Sequence, residues 1–567
     1  MRQLKSLTNL HFILILCLPL MLALINPNWI FNSHITDDYI YLGYQMEMPR
    51  YTDWFPAADR YFGERVSWIA PTYFIRQITS PLVANFIIHL GVYYVAIFSI
   101  YGIIQKLANP NSAIITALLL GHYPAFMRAV GWDYVDGFII ACISLCVLLI
   151  TYACYSQKHW RFYLIGAGVV CTAFVTANIF YACYVPILAI YAIWLNHQSQ
   201  KHPIIICVFW VVIGTMALYG LEGLYYQSVT GKWLTFTNSL TFSQTKIDDQ
   251  FRYINNYNFI SLFPTWHILP LLVMIIAGFR LIRRDYPIHL RPAILLPIGT
   301  YITLLMWESL GHRFLYYAFY SSIIIPMWFI VFGIIIEKYA TKTNWIIYFA
   351  FFIPTLPFLT FSLSPQSINS ASLGAITLVG ILLFVIGFIW QSKWGMLSFI
   401  GAFSLFGMVV GLSPYRAGFS VMPTSIMTYI PNRYENQAIY VGASELASVI
   451  NHQFERLNIE TFRLWYTNDP KMRTFHAIAS IYVRGGRVVD DNDLPENDIL
   501  VWHKNTRHIP NNTLIILSSQ HSPDELFLMA QNTVLGYGYL VSMQKIIWID
   551  DGDGGFYAVF VTLQNPS

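Results

Sequence analysis

Long apolar segments separated by short polar turns recur along the chain as far as residue 412. Apolar runs of about 16 to 24 residues match the length that a helix needs to cross a bilayer. The runs predict thirteen membrane-spanning helices, at 9–26, 81–105, 112–127, 137–155, 162–179, 181–195, 204–226, 267–282, 292–309, 318–336, 345–362, 373–390 and 395–412. The expected fold is therefore a polytopic α-helical membrane protein.

Basic residues concentrate in alternate turns between these segments. They are Arg2, Lys5, Lys106, Lys158, Arg161, Lys201, Arg280, Arg283, Arg284, Arg291, Lys338, Lys342 and Lys393. Because cytoplasmic turns carry an excess of Lys and Arg, the alternation predicts a cytoplasmic N-terminus. The long loops, including the first at 27–80, then lie on the outer face. The chain has no C-terminal retention signal such as KDEL, and we expect a bacterial inner membrane.

The tail that follows residue 412 differs in character from the apolar part. It has ordinary polarity, a helical pattern at 445–457 and β-rich runs at 513–519 and 539–549. The motif IDDGDGGF (549–556) lies between two apolar runs and predicts a β-hairpin turn. We expect two domains: a membrane domain at 1–412 and a small extracytoplasmic α/β domain at 413–567.

Composition agrees with this assignment and excludes several kinds of function. The chain of 567 residues is 56% hydrophobic and 11% charged, with a mean hydropathy of +0.51. A soluble domain has about 25% charged residues, so most of this surface faces something other than water. The net charge of +4 is thinly spread and indicates no nucleic-acid partner. All seven cysteines lie in apolar segments, which argues against a disulfide framework or a zinc site.

Three polar clusters come next to predicted helix ends on the outer face, in the motifs HITDDYIYLG (34–43), GWDYVDG (131–137) and ESLGHRFLYYAFYSSIIIP (308–326). Their charged members are Asp37, Asp38, Asp133, Asp136, Glu308, His312 and Arg313. Charges at the edge of the hydrocarbon are costly and call for a function. Taken singly, each cluster could be a solvated loop, but their recurrence on one face favours a common site.

The residue types in these clusters indicate chemistry on a phosphate. Close carboxylates tend to protonate or to bind a cation, and Mg²⁺ or Mn²⁺ bound by carboxylates often bridges substrate phosphates. An arginine beside them suits bidentate recognition of a phosphate. A carboxylate that does not bind metal can act as a general base toward a hydroxyl group. The expected substrate is a phosphate-bearing molecule held in the membrane.

The ordered set of motifs resembles the GT-C superfamily of integral-membrane glycosyltransferases, which includes protein O-mannosyltransferases and aminoarabinose transferases. The resemblance covers about residues 1–420 and includes EGLYYQSVTGKWLTF (222–236), where Trp233 stands at a position usually occupied by proline. The stretch at 308–326 is similar to an "RY…P…P" motif, with Phe314 in place of tyrosine and only Pro326 retained.

The resemblance implies transfer of a sugar from a polyprenyl-phosphate-linked donor to a glycan, lipid or protein acceptor on the outer face. Asp37 matches the catalytic or metal-linked acid of the first loop, with Asp38 beside it. Asp133 or Asp136 matches the second acidic motif. Arg313, with His312, would hold the donor phosphate. Glu308 and Arg65 would support the site, and Asp37 with Asp133 would bind Mg²⁺ or Mn²⁺.

Three other functions remain open at this point. A transporter or flippase for a lipid-linked or polar solute would carry ionisable residues near the bilayer midplane and often has repeated halves, and no repeat is evident. An O-antigen polymerase or ligase usually carries its large outer loop late in the chain. An envelope scaffold would depend on the tail alone.

Overall fold

The computed structural model describes a large share of the membrane part and the strands of the tail. The described residues are 2–25, 41, 44–45, 60–79, 81–131, 135–199, 202–241, 268–283, 285–310, 314–315, 318–340, 345–356, 370–390, 392–412, 462–466, 514–519, 522–525, 527–528, 531, 540–549 and 556–564. The helix predicted at 445–457 lies outside them.

The described chain is mostly helical up to residue 412. Its α-helices are α1 (Arg2–Ile25), α2 (Val66–Ile78), α3 (Pro81–Leu107), α4 (Pro110–Gly121), α5 (Pro124–Gly131), α6 (Val135–Tyr155), α7 (Trp160–Ala177), α8 (Val185–Ser199), α9 (Ile204–Thr230), α10 (Ile268–Ile282), α11 (Arg291–Ser309), α12 (Ala318–Ser321), α13 (Ile324–Ile335), α14 (Trp345–Phe352), α15 (Ser370–Ile389) and α16 (Lys393–Leu412). Short 3₁₀ segments occur at Arg60–Phe62, Ile179–Tyr184, Ile288–Leu290 and Ile336–Lys338.

Six of these stretches, within the ranges that the structure describes, are long and apolar enough to cross a membrane. A seventh results if α4 and α5 count as one broken span. Only 6% of the most apolar window of α9 is buried by other parts of the protein, as expected for a helix that faces lipid. The protein is therefore an integral membrane protein, and the total of thirteen crossings stays a prediction.

The helix predicted at 112–127 is interrupted in the structure. It is divided into α4 and α5, which are bent by 64° at His122 and Tyr123. The cause is Pro124, which has no N–H to donate and disfavours a helical backbone at the residue before it. The bend directs α5 toward the start of α6, which matters for the site described below.

Helices α7 and α9 cross in very close contact through two glycines. A side-chain carbon at Gly168 would lie 2.9 Å from the carbonyl carbon of Val211, and one at Gly214 would lie 2.9 Å from that of Ile165. Each would also collide with the adjacent carbonyl oxygen. Because small residues allow membrane helices to approach this closely, the two glycines determine the position of α9 against α7.

Gly168→Ala is therefore expected to lower the free energy of unfolding by about 1–3 kcal/mol, since the added methyl group forces two backbones apart. Gly220→Ala, in α9 where nothing lies within 4 Å, is the matched control. That change is expected to be neutral or stabilising by about 0.5–1 kcal/mol, because alanine favours helix. Unfolding in detergent micelles measures both variants. Equal effects at the two positions would contradict the close crossing.

The tail contributes strands β1 (Phe462–Tyr466), β2 (Leu514–Ser519), β3 (Leu540–Ile549) and β4 (Phe556–Gln564). They form one sheet in the order β1-β2-β4-β3, with β1 and β2 parallel and the other pairs antiparallel. β3 and β4 pair on either side of 550–555, from Ile549 opposite Phe556, as the predicted hairpin requires. The α/β class of the tail and the domain boundary at residue 412 stay predictions.

Residues 86–412 belong with Glu64–Trp68 to one compact unit, and residues 69–85 belong with the strands to a second. Within the second unit, Arg76 donates from Nε to Gln45 Oε1 at 2.9 Å and from a terminal nitrogen to Asn85 Oδ1 at 2.6 Å. All contacts of the candidate site described below lie inside the first unit.

Candidate active site at the helix ends

Polar side chains converge at one end of the first unit. Helices α6 and α7 run antiparallel and pack together, so the start of α6 lies at the same end as the last turn of α7. Phe180, just after α7, contacts Trp307 of α11 with ring centroids 5.9 Å apart and Phe314 with centroids 4.4 Å apart. The last turn of α11 therefore lies at this end too. We call it the acidic end and define it by Asp136, Thr176, Glu222 and Glu308.

Asp136 is buried in the first turn of α6, and Arg65 and Arg128 are buried as well. Arg128 of α5 and Arg65, just before α2, are the cations that interact electrostatically with Asp136. Close packing of α5 on α6 creates this arrangement. A side-chain carbon at Gly137 would lie 2.7 Å from Val130 Cα, so only glycine allows the approach.

The arginines of this cluster are themselves buried. A guanidinium carries five N–H donors and can serve several acceptors at once. Buried guanidinium groups suit a phosphate, whose oxygens accept paired hydrogen bonds. A carboxylate that already interacts with two cationic side chains is, by contrast, a poor ligand for a metal ion. Asp136 therefore fits a role in positioning arginines better than one in binding metal.

Glu222 forms a second buried cluster with two hydroxyl groups. Ser67 Oγ and Thr176 Oγ1 both donate to Glu222 Oε1, the latter at 3.0 Å, and the two hydroxyl oxygens lie 2.8 Å apart. The other carboxylate oxygen, Oε2, is buried and has no hydrogen-bond partner among the residues that the structure describes. An unmatched carboxylate oxygen within a membrane helix is costly, which makes it a candidate for contact with substrate.

Glu64 has a structural role at the start of the helical turn 237–241. Its two carboxylate oxygens accept four hydrogen bonds, from the backbone N–H and side chain of Asn238 at 3.2 and 2.9 Å and from those of Ser239 at 2.8 and 2.7 Å. A carboxylate at a helix N-terminus satisfies unpaired N–H groups and opposes the positive end of the helix dipole. Glu64 thereby ties the segment after α9 to the start of α2.

Glu64→Gln is expected to lower the free energy of unfolding by about 1–3 kcal/mol, because neutral glutamine loses the charge-assisted hydrogen bonds. Faster hydrogen exchange at the amides of Asn238 and Ser239 would locate the effect. Glu337→Gln is the control, since the Glu337 side chain has no hydrogen bond within the described part of the chain. Unchanged exchange at both amides in Glu64→Gln would contradict the capping role.

Glu308 lies in the last turn of α11. Its Oε1 accepts a hydrogen bond from the backbone N–H of Leu315 at 2.7 Å, and Phe314 packs against Tyr320 with ring centroids 4.5 Å apart. This hydrogen bond holds Leu315 at the end of α11. His312 and Arg313 come between Glu308 and Leu315 in the sequence, and the supporting role that the motif suggested for Glu308 stays a prediction.

The remaining predicted site residues lie outside the described residues. They are Asp37, Asp38, Asp133, His312 and Arg313. Within the described ranges, no group of three or more His, Cys, Asp or Glu side chains could hold a metal ion. The carboxylates of Asp136, Glu64 and Glu308 are each occupied by cations or N–H donors, so they do not fit a metal site. The expectation of Mg²⁺ or Mn²⁺ therefore depends on Asp37 and Asp133.

Sequence analysis did not identify Ser67, Arg128, Thr176 and Glu222 as site residues. For Glu222 a signal was present: the chain has no Asp or Glu between residues 138 and 221, and Glu222 is the lone acid of the 27-residue helix α9. An isolated carboxylate in so apolar a helix indicates a function or a specific partner. The hydroxyl groups carry no such signal, because Ser and Thr occur throughout membrane helices.

Comparisons with known proteins bear on the fold. No protein-family model matches the sequence, and no curated protein matches it. Among solved structures, ArnT from Cupriavidus metallidurans, bound to undecaprenyl phosphate, superposes with a TM-score of 0.54 at 14% identity over 97% of both chains. The apo form of the same protein gives the same values.

A weaker likeness, with a TM-score of 0.40 at 10% identity, links the chain to an oligosaccharyltransferase from Archaeoglobus fulgidus. It covers 83% of this chain and 64% of that one. The assignment of the fold depends on the match to ArnT, which extends over nearly the whole of both proteins. The chain therefore shares the fold of ArnT over nearly its whole length.

Proposed function

We propose that this protein is a glycosyltransferase that moves a sugar from a polyprenyl-phosphate donor to an envelope acceptor on the outer face of a bacterial inner membrane. The observation that carries the proposal is the buried cluster of Arg65, Arg128 and Asp136 at the acidic end of a GT-C fold. A pair of buried guanidinium groups at the membrane edge has the chemistry to bind the phosphate of a lipid-linked sugar. The soluble α/β domain would lie on the same outer side.

The donor phosphate is expected to bind the arginines of the site. ArnT was crystallised with undecaprenyl phosphate, a lipid carrier of the class that the proposal requires. In this chain Arg313, with His312 beside it in the sequence, would hold the phosphate. Arg65 would contribute from the start of α2, with its side chain oriented by Asp136. Arginine suits this role because its fork of donors matches two phosphate oxygens.

The transfer itself needs a base and a leaving group. Asp37 would accept the proton of an acceptor hydroxyl as that oxygen bonds to the anomeric carbon of the sugar. The bond from that carbon to the phosphate oxygen breaks, and the polyprenyl phosphate leaves with the electron pair. Attack from the face opposite the phosphate inverts the anomeric centre through a transition state with oxocarbenium character.

The other acids of the site have supporting roles in this proposal. Asp38 would position Asp37. Asp133 would complete the second acidic motif and, with Asp37, form the ligands of a divalent cation if one is bound. Those two carboxylates would then hold an ion that supplies positive charge near the departing phosphate.

Deletion of the gene tests the proposal most directly. The expected result is that one envelope glycan, lipid or protein loses the mass of a single sugar, as measured by mass spectrometry of the envelope fractions. Purified protein in vesicles should then restore that mass when supplied with the lipid-linked sugar. Unchanged masses in every fraction would contradict a glycosyltransferase.

Transport of a lipid-linked or polar solute is the alternative, and Glu222 favours it. Its partly unmatched carboxylate lies inside the membrane helix α9, and intramembrane ionisable residues are typical of transport pathways. Reconstituted vesicles separate the two functions. Translocation of a labelled solute without any glycosyl product would support transport.

A further inference from the structure

An apolar cavity lies between helices α6, α7, α8 and α9, away from the acidic end. Its volume is about 190 Å³. Its lining includes four cysteines, Cys146 and Cys154 of α6, Cys171 of α7 and Cys207 of α9. Helix α8 contributes small and aliphatic side chains such as Ala192, and aliphatic side chains come from the other three helices as well. The sequence suggested only that the cysteines lie in the membrane core, and the structure brings four of them to one cavity.

The cavity is suited to hydrocarbon and not to water. Its lining is almost wholly apolar, and apolar cavities of about 150 Å³ stay dry and bind small apolar molecules. Its rim includes Ile193, Ile204 and Val208, which are about half exposed on the outside of the helices. In a membrane this surface faces lipid tails, so one acyl chain can enter from the side.

Basic and aromatic side chains surround one end of the cavity. His202 lines it and stacks on Trp160, with ring centroids 4.0 Å apart and planes at 14°. The Arg161 guanidinium lies over the rings of Trp160 and Trp210, at 5.4 and 5.6 Å from their centroids. Asn196 Nδ2 donates to the His202 carbonyl at 2.7 Å and holds the α8–α9 turn in place.

The charge of this end is of one sign. Lys158 lies between α6 and α7, Arg161 lies in the first turn of α7, and Lys201 comes between α8 and α9 in the sequence. The chain has no Asp or Glu between residues 138 and 221. Cationic side chains in an aromatic setting at a membrane surface attract anionic lipid headgroups. We call this cluster, formed by Arg161, Trp160, His202 and Trp210, the basic end.

The basic end is separate from the proposed glycosyl-transfer site. Helix α6 has 21 residues and extends from Val135, next to Asp136 at the acidic end, to Tyr155 at the basic end. At 1.5 Å per residue the two ends are about 30 Å apart, roughly the thickness of the hydrocarbon core. A lipid at the basic end would therefore come from the leaflet opposite the acidic end.

We propose that the cavity is a binding site for one acyl chain of an anionic glycerophospholipid, whose phosphate contacts Arg161 and His202. The apolar cavity accounts for the chain, and the basic end without acids accounts for the preference for negative charge. The bound lipid would fill a gap between four helices and hold α8 and α9 against α6 and α7. This site is independent of sugar transfer.

Native mass spectrometry of the full-length protein in detergent measures how many lipid molecules stay bound. The two probes are phosphatidylglycerol, which is anionic, and phosphatidylcholine with the same acyl chains. The wild-type protein is expected to retain one phosphatidylglycerol in preference to phosphatidylcholine. Ala192→Phe, which fills the cavity, is expected to weaken that binding at least about tenfold, and Ala189→Phe serves if the first variant does not fold. Ala217→Phe, on the exposed side of α9 outside the cavity, is the matched control and should bind as the wild type does.

Arg161→Gln distinguishes the contribution of the lipid headgroup to binding from that of the acyl chain. One cation near a membrane surface contributes about fivefold to the binding of an anionic lipid, so the preference for phosphatidylglycerol should fall by about that factor. Glycerol 3-phosphate, which has the phosphate but no chains, should not displace the lipid. Equal retention by the wild type of both lipids, or undiminished binding in a folded cavity-filling variant, would overturn the proposal. Each result is a mass measurement that sugar transfer does not affect.

Discussion

Asp37→Asn is expected to slow sugar transfer by about 100- to 10,000-fold, the range that a general base contributes. Asparagine has nearly the same shape as aspartate but cannot accept the proton of the acceptor hydroxyl. Binding of the donor should be almost unchanged, because the arginines that hold the phosphate are intact. The rate of product formation under single-turnover conditions in vesicles measures the effect.

Asp38→Asn is the matched comparison, since it removes the adjacent carboxylate of the same DD motif. A positioning role predicts a smaller decrease for Asp38, by about tenfold. The elution volume and thermal stability of both variants in detergent show whether they fold. Full activity of a folded Asp37→Asn protein would remove Asp37 from the mechanism, and a larger effect at Asp38 would exchange the two roles.

Asp136→Ala is expected to lower the free energy of unfolding by about 3 kcal/mol. The substitution leaves the buried arginines at positions 65 and 128 without the carboxylate with which they interact electrostatically. Removal of one partner from a buried ion pair typically costs about 3–5 kcal/mol. Denaturant-induced unfolding in micelles measures it.

Asp285→Ala is the control for this prediction, because Asp285 is exposed and its loss should change stability by no more than about 0.5 kcal/mol. The double variant Asp136→Ala/Arg128→Gln tests the cause. Since it removes one of the two uncompensated cations, it should recover part of the lost stability. If the two side chains are not coupled, the decreases in the free energy of unfolding caused by Asp136→Ala and by Arg128→Gln simply add in the double variant. Such additivity would contradict the prediction.

Much of the helical framework could be predicted from hydropathy. Each of the thirteen predicted segments contains residues that the structure assigns to helices, and for α6 and α11 the bounds agree within two residues. The agreement has a simple cause, because a backbone in hydrocarbon must satisfy its own hydrogen bonds and an apolar run of this length can do so only as a helix. The strands predicted at 513–519 and 539–549 also coincide with β2 and β3.

The break between α4 and α5 could not be predicted with the same security. Pro124 marks a place where a helix can end, but proline also occurs within intact helices of this protein, such as Pro297 of α11. The outcome depends on neighbouring groups. His122 Nδ1 bonds the Leu118 carbonyl at 2.8 Å, and its Nε2 lies 3.0 Å from Thr355 Oγ1, which holds the corner in place.

By itself the sequence determined the membrane class, the helical segments and the separate character of the tail, because each depends on composition or on spacing along one element. Only the tertiary structure decided which charges meet. Arg65 interacts electrostatically with Asp136, and Ser67 and Thr176 donate hydrogen bonds to Glu222, across segments that are far apart in the chain. The physical reason is that helix packing, through close approaches such as those at Gly137 and Gly168, sets these distances, and no local pattern encodes them.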